Sequence, residues 1–539
     1  MRIIVLSLCL VLLTIRPAFP FTPDSAYLAD REALDELQRD AFRYIWEDAD
    51  PDSGMALEGD LFWEVPPVAV GGTGFGIAAI VTAANRGWIT RDEALSRLMR
   101  IVVFLRDKTP REALHGAFPH WLSGKTGEIM GFGPHDKGAD MMETALLMQG
   151  LLIARAYFNG PGIEEELRGI ITGLWEDVDW NFFTAGLENG IHWHWSPEFD
   201  FRMGLRILGF NECLITYVLA ISSPSHPISR KAYNYWTSGS GYKPKTVFGY
   251  RVEAALPGAG PLFLTHYSFV GLDPRRMADA FVPGGYFVRN VRHVLSNRGY
   301  CLQNAPAANR YDEDFWGLTA GKVKDGYAAS DPAHDTGFVS PTGALSSMPY
   351  TPHYAMQMLH NLRGKLKKRA WGKNGPYDAL SLKDGWFSEN YLAIDQLPIV
   401  CMVENYRSGL LWTLLMSDPD IQAGLRRAGI TEPSFETGFP EAVITLDKQG
   451  TKYVPDACDI RRHPDTGRYH IPYWCAGAGQ VSFTFADEEG RVVLTLRENA
   501  ARGRNQLRFE QFMPPDGERL ILTLAVDGEE KASLPLRLH

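Results

Sequence analysis

The run Thr90-Arg91-Asp92-Glu93-Ala94-Leu95-Ser96-Arg97-Leu98-Met99-Arg100-Ile101-Val102-Val103-Phe104-Leu105 opens with a helix start and continues with helical periodicity. Thr90 and Glu93 form the capping-box pattern, in which each side chain reaches the other's backbone N–H. Leu95, Leu98, Val102 and Leu105 then share one face. Working outward, Arg31 to Glu47 repeats the pattern with Leu34, Leu37, Ala41, Tyr44 and Ile45. Helices are also expected at Gly74 to Asn85, Ala139 to Phe158, Ile163 to Glu176, Asn211 to Ser222, Val288 to Asn297, His353 to Leu366 and Met402 to Met416. Few segments before residue 430 alternate with period two. Helices in such number, separated by Gly- and Trp-rich loops, fit a closed ring of helical hairpins, with an (α/α)6 barrel as the candidate.

The texture changes after Pro433. Glu441 to Leu446, Gln480 to Phe485, Arg491 to Arg497, Gln506 to Phe512 and Arg519 to Val526 are short and β-rich, with turns such as Asp487-Glu488-Glu489-Gly490 between them. They read as a β-sandwich of immunoglobulin-like size. At the other end, Arg2 precedes an apolar run from Ile3 to Ile15, too short to span a bilayer and the right length for a signal peptide. A retained signal anchor is the alternative. The expected division is a signal peptide over 1–20, a helical-barrel domain over 21–432 and a β-sandwich domain over 433–539, in a periplasmic or secreted protein.

The 539 residues are 45% apolar and 22% charged, which excludes a disordered chain. A net charge of −10 argues against nucleic acid or an anionic membrane as the main partner. Beyond Cys9 the cysteines are scattered. Cys458 and Cys475 flank a hairpin-like segment (Arg461 to His470, turning at Pro464-Asp465-Thr466-Gly467) and are placed to form one disulfide. No CxxC or HExxH spacing appears and the histidines, including His192 and His194, lack a metal-ligand set, so neither a metal nor a cofactor is expected.

Several segments set carboxylates beside aromatics and glycines. In Gly138-Ala139-Asp140-Met141-Met142-Glu143, Asp140 and Glu143 share a face near a helix start; plain complementation of the helix dipole is the alternative. Glu212 begins an apolar helix just downstream of His192-Trp193-His194-Trp195. A carboxyl walled by apolar groups has its pKa raised toward that of a general acid, the alternative being a first-turn Glu on a surface helix. Asp395 and Glu404 lie in a nearly continuous apolar stretch, where an unpaired charge is costly; pairing with Arg407 accounts for Glu404, and Asp395 reads as functional. Trp316, in Asp314-Phe315-Trp316-Gly317 upstream of Tyr327, suits stacking on a sugar if exposed and is a core residue if not. Trp63, Trp121, Trp180 and Trp386 repeat that theme. Glycoside hydrolysis needs two carboxylates around the scissile bond, and an inverting enzyme leaves room between them for water. The residues thus point to an exported carbohydrate-active enzyme, with a polysaccharide lyase or a non-catalytic carbohydrate-binding envelope protein as alternatives.

These residues also carry a resemblance. Phe42-Arg43-Tyr44-Ile45-Trp46, Thr73-Gly74-Phe75-Gly76, Asn85-Arg86-Gly87-Trp88-Ile89-Thr90, Glu143-Thr144-Ala145-Leu146-Leu147, Asn211-Glu212, Trp316-Gly317-Leu318-Thr319-Ala320, Ile394-Asp395-Gln396 and Glu404-Asn405-Tyr406-Arg407-Ser408-Gly409-Leu410-Leu411-Trp412 resemble, in order and spacing, the glucoamylase-like domain family that includes the endo-β-1,2-glucanases of glycoside hydrolase family 144. The resemblance covers about residues 35 to 430. It implies an (α/α)6 barrel and an inverting cut of β-1,2-linked glucan. It further implies Glu212 as acid and Asp395 as base, the base acting in relatives through a chain of water and a substrate hydroxyl. Asp140 and Glu143 would line the cleft, and Trp316, Trp195, His266, Tyr327 and Glu404 complete the candidate substrate contacts. The chain departs from the family pattern at Glu143, where relatives usually carry Asp, along Leu262 to Phe269, and at Leu397, where a Gly is usual. An oligo- or polysaccharide is the expected partner, with no nucleic acid and no membrane after signal cleavage.

Overall fold

The computed structural model describes residues 25–59, 63–237, 243–433, 437–438, 458–460, 469–475, 478–487, 489–501, 503–509 and 520–538. The expected signal segment, the strand at Glu441 to Leu446, the turn at Pro464 to Gly467 and the side chains of Cys458 and Cys475 lie outside the described residues. In chain order the helices are α1 (Ser25–Trp46), α2 (Val70–Asn85), α3 (Arg91–Asp107), α4 (Met141–Tyr157), α5 (Ile163–Asp177), α6 (Leu214–Ser222), α7 (Arg230–Thr237), α8 (Tyr286–Gln303), α9 (Pro341–Leu345), α10 (Pro352–Arg363), α11 (Lys367–Ala370), α12 (Ala393–Arg407), α13 (Leu410–Met416) and α14 (Pro419–Ala428).

They sort into two layers by sequence pattern. Helices α2, α4, α6 and α12 are buried almost all round, as helices without a polar face must be. They lie side by side in the order α12, α2, α4, α6, with α9 against the other flank of α12. The amphipathic α1, α3, α5 and α14 pack outside them, α1 over α12 and α2, α3 over α2 and α5, and α14 over α6. The expected capping box opens α3, with Thr90 and Glu93 each bonded to the other's backbone.

A close helix crossing positions the site. A Cβ at Gly74 of α2 would overlap the Leu146 carbonyl of α4, and one at Gly150 would overlap the Gly74 carbonyl. Only glycine allows this approach, and it brings the N-terminal end of α2 against the first turn of α4.

Two expected boundaries are corrected. The helix expected over Met402 to Met416 is two helices, because Gly409 adopts φ +70° after Ser408 and its N–H bonds back to the Asn405 carbonyl, which ends α12. The helix expected from Asn211 begins at Leu214, so Glu212 sits in the preceding turn. Upstream of Met402, the apolar run around Asp395 is the first turn of α12. Pro398 within it offers no N–H to the Ile394 carbonyl, so that turn is held by one bond fewer.

Beyond α14 the described strands form two sheets. One orders Thr437–Gly438, Tyr469–Cys475 and Gly503–Phe509; the other orders Cys458–Ile460, Glu529–Leu538, Leu520–Val526, Gly479–Asp487 and Val492–Ala500. All pairings are antiparallel except Cys458–Ile460 with Glu529–Leu538. The expected hairpin over Arg461 to His470 lies almost wholly outside the described residues; the strands that flank it, Cys458–Ile460 and Tyr469–Cys475, belong to different sheets. Alternating residues of both sheets, among them Tyr469, Tyr473, Phe509, Val481, Phe483, Phe485 and Leu522, share one core.

Candidate active site

The first turn of α4 carries an ion cluster. Asp140 caps the helix, its Oδ1 accepting from the N–H groups of Met142 at 2.9 Å and Glu143 at 3.0 Å and from Trp193 Nε1 at 3.1 Å. Its other oxygen lies 3.3 Å from His120 Nδ1 and 3.4 Å from His194 Nε2. Burial alone raises this carboxyl, yet the two imidazoles win and hold it well below the usual carboxylate range. Burial likewise lowers His120, but Glu143, Asp140 and Glu58 outweigh it and push the imidazole up to about 10. Glu143 accepts from Gly71 N–H at 2.6 Å and lies 3.8 Å from His120 Nε2. Desolvation, offset by His120 and reinforced by Asp140 and Glu58, places it at about 7. The dipole reading of Asp140 thus holds for one oxygen only, while the second faces His120 and His194. His120, Asp136 and Asp140 bring donor atoms within 4.8 Å of one another, a grouping that could hold a cation.

Glu212 stands on the turn before α6. Asn211 Oδ1 accepts from Cys213 N–H at 3.0 Å, and Ser268 ties the turn down by donating to the Glu212 carbonyl while accepting from Ile215 N–H at 2.9 Å. The residue is half-buried, and burial of its carboxyl, followed by repulsion from Asp140, pushes it up to about 7.

Asp395 is 2% exposed and accepts a hydrogen bond from Tyr267 Oη at 3.2 Å. Desolvation, then Asp378, raises it well above the carboxylate range. Burial, and after it Asp395, raises the phenols of both Tyr267 and Tyr327, and Glu212 adds to the shift of each. Tyr327 is 43% exposed as a residue, while burial is the first cause that raises its phenol.

Other candidates fall elsewhere. Trp316 is fully buried, so the stacking role is corrected to a core role; Trp121 and Trp180 are buried too. Glu404 is buried in an ion pair with Arg86 at 2.7 Å and accepts from Ser408 Oγ at 2.6 Å, while Arg407 donates to Asp35 and Gln38. It is a strut between α12 and α2, with Arg86 as its ion-pair partner. His266 is buried on Ser347 Oγ at 2.9 Å, and desolvation pushes it down to about 3, so it is neutral. The Trp195 ring packs against His115 and Phe182.

The residues missed are Asp378, Glu58, His120, Tyr267 and Phe132. Phe132 is 58% exposed and stacks on His120, with ring centroids 4.6 Å apart. The signal for these two lay in Phe118-Pro119-His120-Trp121 and Gly131-Phe132-Gly133, an aromatic pair of loops that later proves to flank carboxylates. Asp378 had no local signal.

Comparison with known proteins adds independent findings. A family model described as "Putative glucoamylase" matches residues 204–419. An exo-β-1,2-glucooligosaccharide sophorohydrolase of Parabacteroides distasonis is 38% identical over 424 residues, covering 74% of this chain and 58% of that protein. The chain therefore spans little more than half the length of that relative. The structure of an endo-β-1,2-glucanase from Chitinophaga pinensis, in complex with sophorotriose and glucose, is 42% identical with a TM-score of 0.72, covering 75% of this chain and 99% of that one. A Bacteroides caccae structure described as a "putative glucoamylase" is 44% identical, also at TM-score 0.72, over 75% of this chain and 100% of that one.

Proposed function

The chain belongs to the glucoamylase-like family, and on that premise we propose that it is a glycoside hydrolase that cleaves β-1,2-linked glucan with inversion at the anomeric carbon. One observation carries the assignment: a carboxyl held near neutrality by burial, Glu212, and a second buried carboxyl, Asp395, which accepts from Tyr267 Oη, both act on the charge state of that tyrosine. Glu212 is the acid. It is protonated up to about pH 7 and donates to the leaving glycosidic oxygen as the bond breaks. Asp395 takes the proton of the attacking water, directly or through an intervening substrate hydroxyl. Asp140, Glu143 and His120 form a polar floor suited to sugar hydroxyls, and Phe132 gives an aromatic face for a pyranose ring. The helices close into an (α/α)6 barrel around this cleft, the C-terminal sheets form a β-sandwich module, and an N-terminal signal directs the protein to the periplasm or beyond.

The test is incubation with β-1,2-, β-1,3- and β-1,4-glucans, with the product anomer read by NMR. Release of the α-anomer from β-1,2-glucan is expected. First release of the β-anomer overturns inversion, and cleavage of another linkage alone overturns the substrate.

A further inference from the structure

Four side chains converge at the first turn of α4 from four separate segments. His120 precedes the strand Trp121–Leu122, Asp136 lies on the loop after Ile129–Met130, Asp140 caps α4, and His194 begins the strand His194–Trp195. Pairing of Ala139–Asp140 with His194–Trp195 sets Asp140 opposite His194. His120 Nδ1 and His194 Nε2 lie 3.3 and 3.4 Å from Asp140 Oδ2, and His194 Nε2 lies 3.6 Å from Asp136 Oδ2. Donor atoms of His120, Asp136 and Asp140 all fall within 4.8 Å of one another.

Two observations set this group apart from an ordinary ion-pair cluster. The first is Asp136, which is 4% exposed. Its Oδ2, the atom turned toward His194, accepts no hydrogen bond among the described residues. A buried carboxylate oxygen without a donor is costly unless something positive meets it. The second is the spacing. Charge-assisted N–H···O bonds close to about 2.7–2.9 Å, whereas these atoms stand off at 3.3, 3.4 and 3.6 Å. Ligands bonded to zinc at about 2.0–2.2 Å in a tetrahedron stand about 3.3–3.6 Å from one another.

We propose that His120 Nδ1, Asp136 Oδ2, Asp140 Oδ2 and His194 Nε2 form a site for a divalent transition-metal cation of the zinc class. The inference goes beyond the hydrolase reading and does not depend on it.

The donor set decides the class of cation. Two imidazole nitrogens with two carboxylate oxygens suit zinc and disfavour calcium and magnesium, which take oxygen ligands. Two carboxylates balance a doubly charged ion when both imidazoles are neutral. The atoms behind the donors also have the arrangement a metal site needs. His120 turns its other nitrogen, Nε2, toward Glu143 Oε1 at 3.8 Å, so a carboxylate backs the ring. The same ring stacks on Phe132 and meets Trp121 edge-on. Asp140 Oδ1 is taken by the N–H groups of Met142 and Glu143 and by Trp193 Nε1, which leaves Oδ2 to the cluster. The loop that carries Asp136 closes on itself: Asp136 N–H donates to the Gly133 carbonyl and Phe132 N–H to the Asp136 carbonyl, both at 3.2 Å. The His120 side chain keeps 23% of its surface in solvent, which gives an ion a way in. Binding is an exchange, in which the cation takes the place of protons on the nitrogens facing the cluster and those protons pass to solvent.

The test uses the full-length protein, stripped with a chelator and titrated with zinc by calorimetry, and with cobalt as a spectroscopic probe. One zinc per chain is expected, and cobalt should give the intense visible absorption of a four-coordinate ion. Asp136→Asn and His194→Gln should each weaken zinc by at least about tenfold and remove the cobalt band, with circular dichroism unchanged. Failure of the wild type to bind zinc overturns the proposal, as does equal binding by both folded variants. Cobalt held with the pale spectrum of a six-coordinate ion, or calcium bound in preference to zinc, overturns the assigned class. If neither variant folds, the wild-type stoichiometry and cobalt spectrum decide. No substrate enters these measurements, so a failure to bind zinc leaves the hydrolase reading intact, and a failure to cleave β-1,2-glucan leaves the cation site intact.

Discussion

Substituting Gln for Glu212 tests the acid through stability as well as rate. Glu212 shifts from 4.5 to about 7 because burial, and after it Asp140, disfavours the ionised form. The folded chain thus binds this proton more tightly than the unfolded chain. Below pH 4.5 both states hold it and stability is unaffected; as pH rises toward about 7 the folded state progressively loses stability, and above that the full penalty applies. At about 1.4 kcal/mol per pH unit the penalty is at most roughly 3 kcal/mol, and solvent reaching a half-buried side chain brings it to about 1–3 kcal/mol. Gln keeps the shape without the charge. Glu212→Gln is therefore expected to match the wild type in urea unfolding at about pH 4 and to exceed it by about 1–3 kcal/mol at about pH 8. Over the same range hydrolysis falls by about 10²–10⁴-fold, the usual worth of a general acid. A stability difference independent of pH, or hydrolysis within about tenfold of wild type, would refute the assignment.

Further outcomes follow from the same contacts. The kcat/KM profile should fall about tenfold per pH unit above about 7 as Glu212 ionises, so a flat profile through pH 8 contradicts the raised carboxyl. Glu404→Gln strips Arg86 of its buried counter-charge and should cost about 3–5 kcal/mol in urea unfolding; a loss below about 1 kcal/mol would make the strut between α12 and α2 dispensable. Gly74→Ala forces α2 and α4 apart and should cost about 1–3 kcal/mol or more, whereas Gly87→Ala, at an open turn with φ +69°, probes backbone strain alone.

Much of the helical architecture was legible because its signals are local. Thr90 with Glu93 specifies a helix start within four positions, and α4 and α6 declare their burial by having no polar face. The reading failed where one residue overrides periodicity. Gly409 splits an apolar run that looks continuous, although Ser408-Gly409 is itself a stop signal. Between Cys458 and Cys475 the described strands Cys458–Ile460 and Tyr469–Cys475 take distant partners, and whether consecutive strands pair with each other is not written in either strand.

The candidate site divides along the same line. Glu212, Asp395, Asp140 and Glu143 stood out because a carboxylate in an apolar or glycine-rich run is costly wherever the run is buried, a conflict visible in a dozen residues. Trp316 stood out by the same local logic and led astray, since a Gly-flanked Trp is consistent with either exposure or core, and only packing chooses. Asp378 shows the opposite limit. Pro376-Tyr377-Asp378-Ala379-Leu380 reads as an ordinary turn, and the cost of its charge appears only in the folded chain, where burial pushes the carboxyl up to about 6. His120 is likewise made an imidazolium by Glu143, Asp140 and Glu58, of which the nearest in sequence is twenty residues away. Groups that carry a charge conflict locally can be found by reading along the chain. Groups that tune them are defined by the space between elements, and the tuning is what would turn two buried carboxyls into an acid and a base.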